Sequence, residues 1–331
     1  MLKKIFVIGS NSFTGNKFIN YSLDKNIKII GVSRSKEPSE VLLSYKKNKN
    51  ISNFSFFKLN VNNEMKKIIS LIESFKPDAI VNYSAQGDVR HSWENPIQWF
   101  NTNSSAIVEL SNRLVKMKFL KKYISISTPE VYGSSKKKLK ETNFYNPSTP
   151  YAVSKLSGDL HLLTLFKKYN FPVIFTRSSN VYGPNQHLYR IIPKTIINLK
   201  LGKKIELHGK GRSIRDFIYI DDVNKAVFKL INKGKNGEVY NIATNEKMIS
   251  IYDLVKKISN IMNVDFYKAI KLSEENYGQD QIYNLDSNKI RKSINWSENY
   301  MLEHGIRETI SWVESNWSKI IRMPHNYVHK K

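Results

Sequence analysis

Cysteine is absent from the 331 residues of this chain. That excludes a disulfide framework, a thiolate metal site and a cysteine nucleophile. Long apolar runs are absent as well. The run from Ile5 to Ile8 stops at Gly9, too short for the core of a secretory signal. Nothing approaches the roughly 20 apolar residues that span a membrane, and a cytoplasmic protein is expected. Acidic residues are scarce: 28 Asp and Glu stand against 53 Lys and Arg, for a formal net charge of +25. Such a balance raises the question of nucleic-acid binding. The lysines, however, are spread over every expected helix and loop, with one dense cluster at Lys136, Lys137, Lys138 and Lys140. No arginine stripe, helix-turn-helix signature or zinc knuckle accompanies them. The expectation is a lysine-rich surface whose positive field concentrates small anions, not a nucleic-acid binder.

What is present is a large apolar inventory, 40% hydrophobic and 12% aromatic, enough for one large domain with a smaller lobe. Apolar runs predict strands over 2–8, 27–32, 53–59, 79–83, 123–127 and 172–177. Helical patterns over 13–23, 64–74, 93–117 and 151–169 alternate with them. That rhythm predicts an α/β fold, a doubly wound parallel sheet with right-handed crossovers. After Asn180 the rhythm changes. Helices are expected over 191–199, 251–262 and 302–317, and strands over 205–208, 216–220 and 238–242. Asp221-Asp222 reads as the cap of a helix reaching Ile231. With no repeat and no low-complexity linker, the second half is expected to pack on the first with its chain crossing back.

Gly9 and Gly15 stand six apart between the first strand and the first helix. Backbone without side chains can approach a pyrophosphate there, and the helix N-terminus offers N–H groups. Gly9, Asn11, Ser12, Phe13, Thr14 and Gly15 are therefore candidate cofactor residues, with Ser12 where a middle glycine is usual. An acidic residue at the end of the second strand would favour NAD. Here Ser33, Arg34 and Ser35 stand instead, and Arg34 suits a 2′-phosphate, so NADP is favoured over NAD. Asn60 and Val61, closing the third strand, are candidates near adenine. The expected division is a dinucleotide-binding domain over 1–180, joined by a returning segment 214–242, and a smaller mixed α/β substrate lobe over 181–213 and 243–331.

The fifth strand ends in Ser127-Thr128-Pro129-Glu130, and Tyr151 and Lys155 follow at i and i+4 on a helix. An ammonium beside a phenol lowers its pKa, making Tyr151 a base for a sugar or alcohol hydroxyl. Lys155 also suits nicotinamide ribose hydroxyls.

These segments resemble the extended branch of the short-chain dehydrogenase/reductase superfamily, the NAD-dependent epimerase/dehydratases of nucleotide sugars. The resemblance runs through the glycine loop, Asn82-Tyr83-Ser84-Ala85-Gln86, Asn101-Thr102-Asn103, Thr128 to Gly133 and Tyr151 to Lys155. It continues in Arg177 to Pro184, Arg215 to Val223, Asp286 to Ile290 and Gly305-Ile306-Arg307. It implies a Rossmann-type fold, and Ser84, Ala85, Gln86 and Asn103 as further cofactor residues. The fifth-strand segment looks most like that of 4,6-dehydratases of the dTDP-glucose and GDP-mannose types. In those, Tyr151 with Thr128 would take the 4-hydroxyl proton as hydride leaves C4. Glu130 would take the C5 proton, water would leave from C6, and hydride would return to C6. The cofactor is then tightly bound and recycled.

Pro129 departs from the dTDP-glucose pattern, where an aspartic acid protonates the C6 hydroxyl; a proline side chain can do neither. GDP-mannose dehydratases also lack that aspartate, so Glu130 would serve as both base and acid. On the substrate side the resemblance implies Gln86, Thr128, Glu130, Asn180 and Arg215, with a guanidinium fork suited to a diphosphate. Asn276 opens Asn276 to Asp280, where the dTDP-glucose enzymes carry a phosphate-binding arginine. Arg190, Lys194 and Arg212 are further basic candidates that read as surface charges, and His91, a candidate sugar contact, reads as a loop histidine with no role. The competing readings are an epimerase or 4-ketoreductase on the same scaffold, and a non-catalytic dinucleotide-binding protein. Pairing through the helices over 93–117 and 151–169 into a homodimer is implied by the resemblance.

Overall fold

The computed structural model describes residues 2–274 and 282–329. At its centre lie seven strands: β1 (Lys4–Ile8), β2 (Lys28–Ser33), β3 (Phe54–Lys58), β4 (Ala79–Asn82), β5 (Lys122–Ile126), β6 (Val173–Ser178) and β7 (Val239–Ile242). Their order across the sheet is β7-β6-β5-β4-β1-β2-β3, and every pairing is parallel. Both faces are covered, which is why Ile5 to Ile8 is apolar throughout, with no alternation. On one face Phe18, Ile19 and Leu23 of helix Phe13–Leu23 pack with Val223, Val227 and Leu230 of helix Ile220–Lys233. On the other, Ile68 and Ile72 of helix Met65–Phe75 meet Leu110, Leu162 and Phe175. Each such side chain stabilises the fold by roughly 1.5–3 kcal/mol when fully buried.

β1 lies between β2 and β4, so the chain winds away from it in both directions. In sheets of this kind the crevice beyond the strand ends at that switch point receives ligands. A separate cluster, built on Ile192, Ile196, Leu254, Val255, Ile258 and Ile306, forms the core around helices Ile191–Lys200, Ile251–Ile261 and Leu302–Ser315. Among the described residues no helix is long and apolar enough to cross a membrane, and no group of His, Asp and Glu is arranged to hold a metal ion.

Four local expectations fail. The helix expected over 93–117 is broken into Val89–Glu94, Pro96–Phe100, a π turn Asn101–Ser105 and Ala106–Leu114. Pro96 supplies no N–H and excludes helical geometry at Asn95, whose φ is −137° and ψ 53°. The strand expected over 216–220 is two, Ile214–Arg215 and Phe217–Tyr219, which pair antiparallel with Ile249–Ser250 and parallel with Asn180–Tyr182. Asp222 does not cap the helix after it. Its carboxylate accepts hydrogen bonds from the backbone of Asn299 (2.8 Å) and Tyr300 (3.1 Å). The lysine-rich segment Ser135–Leu139, whose polar sequence after Gly133 reads as a loop, is a short strand paired with Tyr283–Leu285.

The π turn positions the site. It widens the backbone so that Asn103 meets helix Pro150–Tyr169 at Gly158, where a Cβ would sit 2.4 Å from the Asn103 carbonyl oxygen. That helix carries Tyr151 and Lys155.

Candidate active site

The glycine loop is built by backbone geometry. Gly9 takes φ +82°, and a Cβ on it would come within 2.7 Å of the Ser84 nitrogen. One on Gly15 would lie 2.5 Å from the Gly9 carbonyl oxygen. Ser12 has extended geometry (φ −68°, ψ 156°), so no glycine is required there. Its hydroxyl donates to the Gly9 carbonyl at 2.7 Å and accepts from the Gly15 N–H at 3.0 Å, capping helix Phe13–Leu23. The substitution in the glycine pattern is thus a helix cap. The loop leaves the unpaired N–H end of a helix facing a cavity of about 1090 Å³. These features fit a dinucleotide pyrophosphate.

Asn11, Ser12, Phe13 and Thr14 line that cavity, as do Ser33, Arg34 and Ser35, Asn60 and Val61, and Ser84, Ala85 and Gln86. Several of these groups are already committed. The Ser33 hydroxyl accepts from the Asn11 N–H at 3.0 Å, and the Asn11 amide donates to the Ser35 carbonyl at 2.9 Å. The Asn60 amide oxygen accepts from the Asn62 N–H at 3.0 Å. Arg34 is half-buried at the cavity wall, and burial holds its pKa below the usual arginine value. Asn103 and Gly15 stand behind the wall. The Asn103 side chain donates to the Gln86 carbonyl and the Ser154 hydroxyl, both at 3.0 Å, and accepts from the Gln86 N–H at 2.9 Å. It is a clamp between the β4 loop and the tyrosine helix, with no donor or acceptor turned to the cavity.

Thr128, Glu130 and Tyr151 line the same cavity. Thr128 lies two residues past β5 and caps the short turn Pro129–Tyr132, its hydroxyl accepting from the Glu130 N–H at 3.3 Å. It also hydrogen-bonds the Tyr151 phenol. The phenol is pushed well above its ordinary value by burial first and by the Glu130 carboxylate second; the Thr128 contact and Arg190 oppose this. The expected depression by Lys155 is not found. Lys155 lies behind Tyr151, buried, and its ammonium donates to the Ile126 carbonyl at 2.8 Å. Burial lowers its pKa, and Asp159 works in the opposite direction.

Asp159 gathers a buried polar network beneath the site. Its carboxylate accepts from Ser125 at 3.3 Å and from Ser127, and pairs with Arg177 at 3.5 Å. Arg177, 1% exposed, stacks over Tyr132 (4.5 Å) and Tyr145 (5.1 Å). Across the cavity, Asn180 donates its side-chain amide to the Asp216 carbonyl at 3.1 Å. Arg215 lies over the ring of Tyr283 at 5.8 Å, and both line the cavity. Asn276 lies outside the described residues.

A sequence profile of the NAD dependent epimerase/dehydratase family matches residues 5–243. The chain belongs to this family. It is 28% identical over 332 residues to a probable dTDP-glucose 4,6-dehydratase of Sinorhizobium fredii, spanning 95% of this chain and 94% of the relative. It is 33% identical over 253 residues to a mouse (Mus musculus) dTDP-D-glucose 4,6-dehydratase, spanning 75% and 70%. The crystal structure of a dTDP-glucose 4,6-dehydratase from Bacillus anthracis, in complex with NAD, superposes with a TM-score of 0.85 at 30% identity. That superposition covers 96% of this chain and 98% of the other.

Within this epimerase/dehydratase scaffold, reading the sequence alone passes over Asp159 and gives no role to Arg190. Asp159 falls one turn after Lys155 on a helix face that is otherwise buried, and a charge there is a signal. Arg190 precedes helix Ile191–Lys200, and only the folded chain brings it to Tyr151. The phenol environment has a measurable consequence. Replacing Glu130 by Gln removes a charge that disfavours the phenolate, so the Tyr151 pKa falls. Replacing Arg190 by Ala removes a cation that favours it, so the pKa rises. Ultraviolet difference titration against Tyr151→Phe blanks reads both shifts, and shifts of the opposite sign would contradict the assignment.

Proposed function

We propose that the chain is a nicotinamide-dependent 4,6-dehydratase acting on a nucleotide-diphosphate sugar and giving a 4-keto-6-deoxy product. The observation that carries the reading is Glu130: its carboxylate opens on the same cavity as Thr128 and Tyr151, and its charge acts on the Tyr151 hydroxyl. A 4-epimerase needs the hydroxyl, Tyr and Lys but no second base. The relatives named as 4,6-dehydratases support the same conclusion.

The glycine loop, Arg34 and the β4 loop would hold the dinucleotide, and its nicotinamide supplies a hydride acceptor for C4 and a donor for C6. Tyr151, as its phenolate, takes the proton of the sugar 4-hydroxyl and becomes the phenol; the Thr128 hydroxyl donates to the phenolate beforehand. Lys155 and the carbonyl of Ile126 fix the base of the helix turn behind it. The ketone at C4 acidifies the C5 hydrogen, and Glu130 takes that proton. Pro129 offers no acid of its own, so the protonated Glu130 returns its proton to the C6 oxygen, which leaves as water. Arg215 and Asn180 face the diphosphate. The separation of the chain into a dinucleotide domain and a sugar lobe at about Asn180, with 214–242 returning, belongs to the same proposal.

Incubation with dTDP-, UDP- and GDP-hexoses, read by mass spectrometry, is expected to show loss of one water without net consumption of cofactor. Glu130→Gln is expected to abolish water loss, by about 100-fold or more, while C4 oxidation persists. A stereoisomer that keeps its C6 oxygen would replace this reading with epimerisation. Arg34 selects NADP over NAD in this proposal, since its guanidinium stands at the cavity wall and suits a 2′-phosphate. Arg34→Ala then weakens NADP binding about tenfold or more with NAD little changed, measured by calorimetry; equal affinities in the unaltered chain would dismiss the selector.

The chain pairs as a homodimer through Trp93, Ile97, Val153 and Leu160, exposed apolar residues on helices Val89–Glu94, Pro96–Phe100 and Pro150–Tyr169. Sedimentation should give a dimer for the unaltered chain and a monomer for Ile97→Glu with Val153→Lys. A monomer in both cases would refute the pairing.

A further inference from the structure

After helix Leu302–Ser315 and the short helix Trp317–Ile320, the chain leaves the second lobe and runs back over the cavity. Met323, His325, Tyr327 and His329 are half-buried, whereas Arg322, Pro324, Asn326 and Val328 are exposed. This period of two is that of an extended segment with one face turned inward, and Pro324, Asn326 and Val328 of the other face line the cavity together with Met323 and Tyr327. The inward face is anchored on both sides of the cleft. On the sheet side, His329 stacks on Trp99 at 5.5 Å and on His91 at 5.5 Å, and hydrogen-bonds Gln98 at 2.8 Å. On the lobe side, Tyr327 meets Tyr189 edge-on at 5.1 Å, just ahead of helix Ile191–Lys200. Tyr327 also packs on His91 at 5.0 Å, and His91 is held by Asp88 at 2.7 Å.

We propose that residues 323–329 form a strap that closes the dinucleotide site, with Tyr327 covering the bound cofactor between Arg34 and Tyr189. The inference rests on the dinucleotide reading of the cavity and goes beyond it, because neither the glycine loop nor the strand ends account for this segment. Tyr327 lines the cavity together with Arg34, which stands at the adenosine-ribose end, and with Asp88 of the β4 loop. Burial, then Asp88 and Tyr189, push its phenol up to about 12, against Arg34 and Arg190. At neutral pH it is an uncharged donor and a flat apolar wall, suited to lie against a nucleoside without repelling its phosphates. The strap is held by rings and single side-chain hydrogen bonds, so it can open without unfolding the lobe beneath it. A reaction that returns hydride to its own product needs no exchange of cofactor between turnovers. A cover that slows dissociation is compatible with catalysis there, whereas it would throttle an enzyme that must trade oxidised for reduced cofactor each cycle.

The test compares the unaltered chain with a deletion of residues 323–331, with Tyr327→Ala and with Tyr327→Phe. The readout is the rate at which bound NAD+ or NADP+ is released on dilution into excess competitor. The deletion is expected to release dinucleotide about tenfold faster or more, Tyr327→Ala to show most of that increase, and Tyr327→Phe to stay near the unaltered rate. Circular dichroism and the unfolding midpoint without cofactor establish that each variant is folded; if the deletion is not, Tyr327→Ala carries the comparison. Trypsin cleavage at the exposed Arg322 is expected to slow when dinucleotide binds. Equal release rates in all folded proteins, or cleavage indifferent to dinucleotide, would overturn the strap while leaving the cofactor site intact. Failure of the unaltered chain to bind either dinucleotide would overturn the site reading and the strap with it.

Discussion

The buried carboxylate of Asp159 is the interaction on which the site depends. It joins three elements that sequence separates widely: β5 through Ser125 and Ser127, β6 through Arg177, and the tyrosine helix on which it sits. Thr128 follows Ser127 directly, so a tether on Ser127 fixes where the Thr128 hydroxyl points. Breaking a buried pair by removing one partner typically costs about 3–5 kcal/mol, because the other charge is left without compensation. Here the orphan would be Arg177, which lies against the rings of Tyr132 and Tyr145 with almost no access to water. The network therefore acts less as a source of net stability than as a constraint on register. It allows one arrangement of the strand end, the helix and the guanidinium.

The same economy governs the cofactor side. The glycine loop works because Gly9 and Gly15 let backbone approach backbone, and Ser12 closes the loop by capping the helix it introduces. A serine in a glycine position looks like a defect in the pattern when only residue names are compared. In the fold it contributes a hydrogen bond in each direction that glycine cannot make. Pro129 is similar. It removes a proton donor, yet it sits at the first position of a short turn where its missing N–H costs nothing.

The sheet and the residues around its switch point were legible because their signal is local. Ile5 to Ile8, Ala79 to Val81 and Tyr123 to Ile124 are apolar on both faces, and that can be read one strand at a time. Gly9, Thr128, Glu130 and Tyr151 stand out in short local motifs, and the fold brings all four to one cavity. What was not legible depends on meetings across long separations. Asn103 spends its amide on Gln86 and Ser154, Asp222 spends its carboxylate on Asn299 and Tyr300, and Lys155 turns to Ile126. Nothing near those residues in sequence announces these partners. The segment 323–329 is the extreme case, since its alternation is short and its anchors lie more than 130 residues away, at Tyr189, His91 and Gln98.

Gly158 bears on how such a protein changes over time. The tyrosine helix is spaced from the π turn by contact of backbone on backbone at the Asn103 carbonyl, held in place by the Asn103–Ser154 and Ser104–Ser157 hydrogen bonds. Its exposed positions, Val153 and Leu160 among them, take no part in that spacing. Substitutions on the outer face can therefore accumulate without moving Tyr151 relative to the sheet. The exposed face can drift without altering the site, while the distance that matters to chemistry is held by a backbone atom that no mutation removes.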